Sequence, residues 1–120
     1  MADLSVKICG VKLKNPVIAA SGTFGFGREY NEIYDISVIG GISTKGMTLE
    51  PRLGNPVPRI AEGKSVILNA VGLQNPGVDH FIKDDLPFLK EKGVTIVANV
   101  AGKSFDDYGA ICAKLDGLVD

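Results

Sequence analysis

The chain has little of several residue types on which metal sites and hydrolytic triads depend. It holds one histidine, His80, and two cysteines, Cys9 and Cys112, far apart and without a CxxC pair. No His/Cys zinc cluster can be assembled from these. A Ser/His/Asp triad is excluded as well, because His80 falls on the outer face of a predicted helix. Charge of one sign is also missing: 13 basic residues face 14 acidic ones, for a net charge of -1. Neither nucleic acid nor an anionic membrane surface would find a basic face here. No apolar run approaches the roughly 20 residues of a membrane helix. The opening MADLSVKICG has an early acidic residue and no long apolar core, unlike a signal peptide. The two thiols are expected to be reduced and mostly buried, in a cytoplasmic protein.

What is present is an ordinary globular composition, 45% hydrophobic and 22% charged, with 15 glycines, many just after apolar runs. SVKI and VKL, separated by Cys9-Gly10, alternate in hydrophobicity and predict an opening hairpin. NPVIAASG reads as a strand buried on both faces, and ISVIGGISTKG (36–46) as a second. Between them, Tyr30, Ile33 and Tyr34 lie at helical spacing. Pro51, Pro56 and Pro58 then forbid a helix, and VPRI with SVILNAVG predicts a hairpin turning at Glu62-Gly63-Lys64. Val78, Phe81, Ile82, Leu86 and Leu89 mark one helix face, bent or restarted at Pro87 and stopped at Gly93. VTIVANVAG is a third buried strand, ending near Asn99. Ser104 with Asp107 forms a capping pattern for a helix burying Tyr108, Ile111, Cys112 and Leu115. GLVD would begin a fourth strand.

Strands alternating with helices in this order predict a parallel sheet covered by helices, either doubly wound or a (β/α)8 barrel. A barrel needs about 250 residues, so residues 1–120 are expected to form a single partial domain. The ending on a strand suggests a piece of something larger.

In parallel α/β folds the ligand site lies at the C-terminal strand ends. Those ends supply Ser21, Lys45 and Asn99, with Asn69 on the inserted hairpin. Each has a structural alternative. Ser before Gly closes turns, Lys after a strand is commonly a solvated charge, and Asn closes turns through its side chain. Their convergence on one rim favours a site. No phosphate-loop motif is present, and SGTFGFG (21–27) is only loosely like a dinucleotide loop. Anchoring of that loop in the core by Phe24 and Phe26 is an equal alternative. The pairs Asp84-Asp85 and Asp106-Asp107 are expected on solvated helix faces and near helix N-termini.

Taken together, ASGTFGFGREY, STKGMTLEPRLGNPVPRI, LNAVGLQNPG and VANVAG resemble, in order and over nearly the whole chain, the N-terminal part of class 1 dihydroorotate dehydrogenases. Gln74 is similar to the NAD-linked, two-subunit branch. The resemblance implies the N-terminal half of a (β/α)8 TIM barrel, with the second hairpin over the barrel mouth. It implies flavin mononucleotide (FMN) at the strand C-termini and oxidation of dihydroorotate to orotate in pyrimidine biosynthesis. Hydride would pass from substrate C6 to the flavin while a base removes a C5 proton. Ser21, Lys45, Gly46 and Asn99 match flavin contacts. Lys45 and the run Asn69, Ala70, Val71, Gly72 and Leu73 match substrate contacts.

The residue types suit those roles. An ammonium at Lys45 would stabilise charge gathering on reduced flavin, and Asn69 can read the amide edges of orotate. Amides of Val71 to Leu73 would form an anion nest for the substrate carboxylate, with Gly72 permitting close approach. Asn75 reads either as a turn residue at the entry to the next helix or as a ligand, with the turn favoured.

No catalytic base is expected within 1–120. The family's Cys belongs to the loop after the fourth strand, and residues 1–120 alone are expected to be inactive. With no membrane-binding segment ahead of the barrel, NAD is the expected acceptor, through an iron-sulfur/FAD electron-transfer subunit joined to a homodimer. Fumarate is the alternative. Two other readings stand beside this one: a Schiff-base barrel enzyme using Lys45, and a non-catalytic half-barrel completed by a second chain.

Overall fold

The structure is a computed structural model that describes residues 2–120. The opening hairpin pairs β1 (Val6–Ile8) with β2 (Val11–Leu13), Val6 opposite Leu13. Its two-residue turn places Cys9 at φ 48° and Gly10 at φ 93°. Two positive φ values match the twist of the flanking strands.

Three short parallel strands follow: β3 (Ile18–Ala19), β4 (Gly41–Ser43) and β7 (Thr95–Val97), in the order β3-β4-β7. Sequential strands lying side by side fit a barrel. Ile42 pairs with Ile96 in register. Both are buried in a core with Phe81, Leu89, Ile111 and Leu115.

The other sheet face is less covered. Ile18 is 38% exposed and Val97 43%, so these strands are not buried on both faces as expected. Helices cover one face. The opening hairpin covers only the N-terminal edge of the other, where Leu13, Ile18, Thr95 and Val97 share a cavity with Cys9. The segment expected as strand 36–46 divides into a 3-10 turn, Ile36–Val38, before β4. Asp35 caps that turn by accepting from the Ser37 amide at 3.0 Å.

Helices α1 (Ser21–Phe24) and α2 (Arg28–Asn31) are single turns joined by Gly25 and Gly27 at positive φ. Phe24 stacks on Tyr30 with centroids 4.4 Å apart, and Phe26 meets Phe81 at 5.4 Å, so the phenylalanines anchor this loop in the core. Ile33 does not join the buried face: it is 80% exposed beyond the end of α2.

The second hairpin pairs β5 (Ile60–Gly63) with β6 (Val66–Asn69) and turns at Lys64-Ser65. The turn is one residue later than expected, because Gly63 pairs with Val66. The long helical segment starts as α3 (Val78–His80), widens into a π-turn (Phe81–Asp85) and continues as α4 (Leu86–Lys92). Pro87 sits at the restart, where its missing N–H and ring disturb the regular ladder. Gly93 ends it at φ 62°.

In α5 (Phe105–Leu115) the Ser104 hydroxyl accepts from the Asp107 amide at 3.2 Å, and Asp107 accepts from the Lys103 amide at 2.8 Å. Ile111 and Leu115 are buried, but Tyr108 is 42% exposed and Cys112 faces solvent. Cys9, at the hairpin turn, is exposed too, so the expectation of buried thiols fails at both positions. After α5 no fourth strand forms among the described residues. Asp120 donates its amide to the Ile96 carbonyl at 3.2 Å, and its carboxylate accepts from the Ile96 amide at 2.9 Å. No helix among the described residues is long and apolar enough to cross a membrane.

Candidate functional site

The C-terminal ends of the three parallel strands meet. Asn99, two residues past β7, donates its carboxamide N–H to the Ser21 hydroxyl, just past β3, at 3.1 Å. Between them runs the extension of β4. The buried Thr44 hydroxyl accepts from the Asn99 amide at 3.1 Å, and the Met47 amide donates to the Asn99 carbonyl at 2.9 Å. Asn99 is therefore held by its backbone, while its exposed carboxamide stays at the rim.

Gly46 lies under that carboxamide. A Cβ there would come within 3.1 Å of Leu73 Cδ1 and 3.6 Å of Asn99 Nδ2. Ser21, Gly46, Leu73 and Asn99 thus form one group. The Lys45 amide donates to the Gly25 carbonyl at 3.0 Å. Lys45 lines an adjoining cavity of about 520 Å3 with Phe26, Arg28, His80 and Asp85.

Asn69 ends β6 opposite Ile60 and is exposed. The run after it is fixed by neighbours. The Ala70 amide donates to the Arg59 carbonyl at 2.8 Å, the Ala70 carbonyl accepts from Asn55 Nδ2 at 2.8 Å, and the Val71 carbonyl accepts from the Asn55 amide at 3.0 Å. Gly72 (φ 78°) and Leu73 (φ 54°) are both left-handed. A Cβ at Gly72 would sit 2.8 Å from Asn55 Cγ, so the close approach this glycine permits is to Asn55. No hydrogen bond from another described residue engages the amides of Val71, Gly72 or Leu73. Three successive free N–H groups on such a turn can receive an anion.

Three side-chain contacts carried no sequence signal. Arg28 donates to Asp85 at 2.8 Å and lies over the Phe88 ring at 4.6 Å. Asp85 is 5% exposed, so it is no solvated helix charge, whereas its neighbour Asp84 pairs with His80 at 3.2 Å. Arg59 donates to Gln74 Oε1 at 2.5 Å and to the Leu53 carbonyl at 3.0 Å, tying the hairpin base to the rim. Asn75 is buried against Thr48. The bonds at Arg28 and Arg59 span 57 and 15 residues, which no local periodicity encodes. Asp107 is held below the usual carboxylate range by the Lys103 amide, a helix-capping effect away from the site. Among the described residues no group of three or more His, Cys, Asp or Glu is placed to hold a metal ion.

A family model described as dihydroorotate dehydrogenase matches residues 3–120. Among curated relatives, a protein from Caldicellulosiruptor bescii named dihydroorotate dehydrogenase B (NAD(+)), catalytic subunit, is 56% identical over 98% of this chain and 39% of its own length. One of the same name from Listeria monocytogenes is 53% identical over 96% of this chain and 38% of its own. The chain thus spans about two fifths of the relatives it matches. Among solved structures, a dihydroorotate dehydrogenase from Eimeria tenella in complex with ferulenol superposes with a TM-score of 0.74 at 22% identity, covering 98% of this chain and 35% of that one. The ligand-free enzyme from the same organism gives 0.67 at 21%. At those identities the likeness shows the fold.

Proposed function

The chain belongs to the dihydroorotate dehydrogenase family, and on that basis we propose that its protein oxidises dihydroorotate to orotate with FMN in pyrimidine biosynthesis. The observation that carries this reading is the meeting of Ser21, Gly46 and Asn99 at the ends of the parallel strands. A hydroxyl, an exposed carboxamide and a glycine whose Cβ would crowd Leu73 suit a flat ring edged with amide groups. Ser21, Lys45, Gly46 and Asn99 would hold the flavin, which when bound would supply the hydride acceptor.

The chain's own residues do the rest of the binding. Asn69 reads the substrate ring, and the free amides of Val71, Gly72 and Leu73 take its carboxylate. Lys45 brings an ammonium to where negative charge collects, and a fixed charge of that kind costs no reorganisation during reaction. No residue of 1–120 is assigned the C5 proton. Cys112 is on the solvent face of α5, and Cys9 is beside the N-terminal ends of the strands. The base is expected outside residues 1–120, which alone would be inactive and together form one partial barrel domain.

The names of the relatives favour NAD as acceptor and a separate electron-transfer subunit. Iron-sulfur and FAD groups on that subunit, a homodimer and a cytoplasmic location belong to the reading through the family resemblance alone. Fumarate is the alternative. The test is to purify the natural protein carrying residues 1–120 and identify its released chromophore. FMN supports the reading, and a colourless protein that takes up no FMN contradicts it. A second reading, a half-barrel completed by another chain, is favoured by the exposed Ile18 and Val97 on the uncovered sheet face. Sedimentation as a well-behaved monomer would remove it.

A further inference from the structure

Asn75 is 5% exposed and every polar group it owns is used. Its amide and carbonyl exchange hydrogen bonds with Arg52 at 3.0 and 2.9 Å. The side-chain oxygen accepts from the Thr48 amide at 3.1 Å and the Gly77 amide at 2.9 Å. The side-chain nitrogen donates to the Leu73 carbonyl at 2.8 Å and to the Thr48 hydroxyl at 3.1 Å. That hydroxyl spends its own proton on the Glu50 carbonyl at 2.5 Å. The carboxamide orientation follows: rotated by half a turn, it would set its NH2 against two N–H donors and its oxygen against the Leu73 carbonyl.

One of these bonds reaches the substrate run. Leu73 has a side chain and yet sits at φ 54°, directly after Gly72 at φ 78°. A left-handed conformation is unfavourable for a residue with a Cβ, so something must hold it. The carbonyl bond from Asn75 does so from one side, and the Asn55 amide on the Val71 carbonyl from the other. The amides of Val71, Gly72 and Leu73 lie between the two clamps and donate to no other described residue.

We propose that Asn75 is a positioning residue for substrate: through its bond to the Leu73 carbonyl it holds the Val71–Leu73 amides in the geometry that receives the substrate carboxylate. This rests on the function proposed above. Asn75 touches no reacting atom. Its effect is on binding, because preformed donors do not have to be ordered when the anion arrives.

Asn75→Asp keeps an acceptor for the Thr48 and Gly77 amides and removes the donor to Leu73. Asn75→Ala removes that donor without a buried charge, and carries the test if the aspartate variant does not fold. Thr48→Val is the control: it removes a buried hydroxyl beside Asn75 but leaves the Leu73 bond.

In the natural protein carrying residues 1–120, orotate affinity is measured by calorimetry, and dihydroorotate KM and kcat are measured alongside. The expected result is orotate binding weakened by about tenfold, or about 1.4 kcal/mol, in the Asn75 variants. KM should rise by a similar factor with kcat little changed, and Thr48→Val should bind orotate normally despite a lower melting temperature. Equal affinity in the Asn75 variants and the unaltered protein, or the same loss in Thr48→Val, overturns the inference. Failure of the unaltered protein to bind orotate instead overturns the function reading on which it rests.

Discussion

The carboxamide of Asn99 and the hydroxyl of Ser21 are joined at 3.1 Å across 78 residues of sequence. This bond links the chain just past the first and third parallel strands, which themselves pair only with the strand between them. It also presents one donor-acceptor pair to whatever lies above the rim. Removing either side chain should weaken flavin binding. For Ser21→Ala and Asn99→Ala we expect a loss of about 1 kcal/mol each. The double variant should lose less than the sum, since the two act through one contact. FMN titration followed by flavin fluorescence checks this.

Lys45 follows β4 at the rim, with its amide fixed to Gly25. Lys45→Ala should lower dihydroorotate turnover by about 10²–10³, the range for removing one preorganised charge-stabilising group. The fold should be retained, because Lys45 is only half-buried. Steady-state kinetics together with circular dichroism separate the two effects.

Arg28 and Asp85 form an asymmetric pair, with side-chain exposures of 48% and 7%. Arg28→Ala leaves a buried carboxylate without its partner, whereas Asp85→Ala leaves a guanidinium that water can reach. The first change should therefore cost more, by about 1–3 kcal/mol. Urea unfolding of the two variants gives the order directly.

At α5, Ser104→Ala should cost about 1 kcal/mol of stability. Asp107 titrates below its ordinary range because its carboxylate accepts from the Lys103 amide. A depressed folded-state pKa means that its contribution is present above the unfolded carboxylate pKa and is lost as pH falls through the folded one. The α5 N-terminus should therefore fray on acidification below the normal aspartate range. Amide exchange at Asp107 against pH reports it.

The parallel sheet, both hairpins and the helix after residue 77 were legible because period and punctuation agree there: Pro87 and Gly93 mark the restart and the stop that are observed. Ser21 and Asn99 were legible as strand-end polar groups, though their hydrogen bond was not. Exposure was misjudged where the cover is tertiary. Val97 reads as core and is 43% exposed, because helices lie on one face of its sheet only. Asp85 reads as surface and is buried, because a guanidinium 57 residues away reaches it. Cys112 follows the buried Ile111 on α5 and still faces outward, since the apolar stripe there is narrower than its residue types suggest. Asn75 was legible as a turn residue, while its bond to Leu73 was visible only in the fold.

The most direct test of the account is anaerobic addition of dihydroorotate to the natural protein carrying residues 1–120, loaded with FMN. The account predicts bleaching of the flavin absorption with one orotate formed per flavin reduced. An FMN-loaded protein whose spectrum does not change on saturation with dihydroorotate would contradict it.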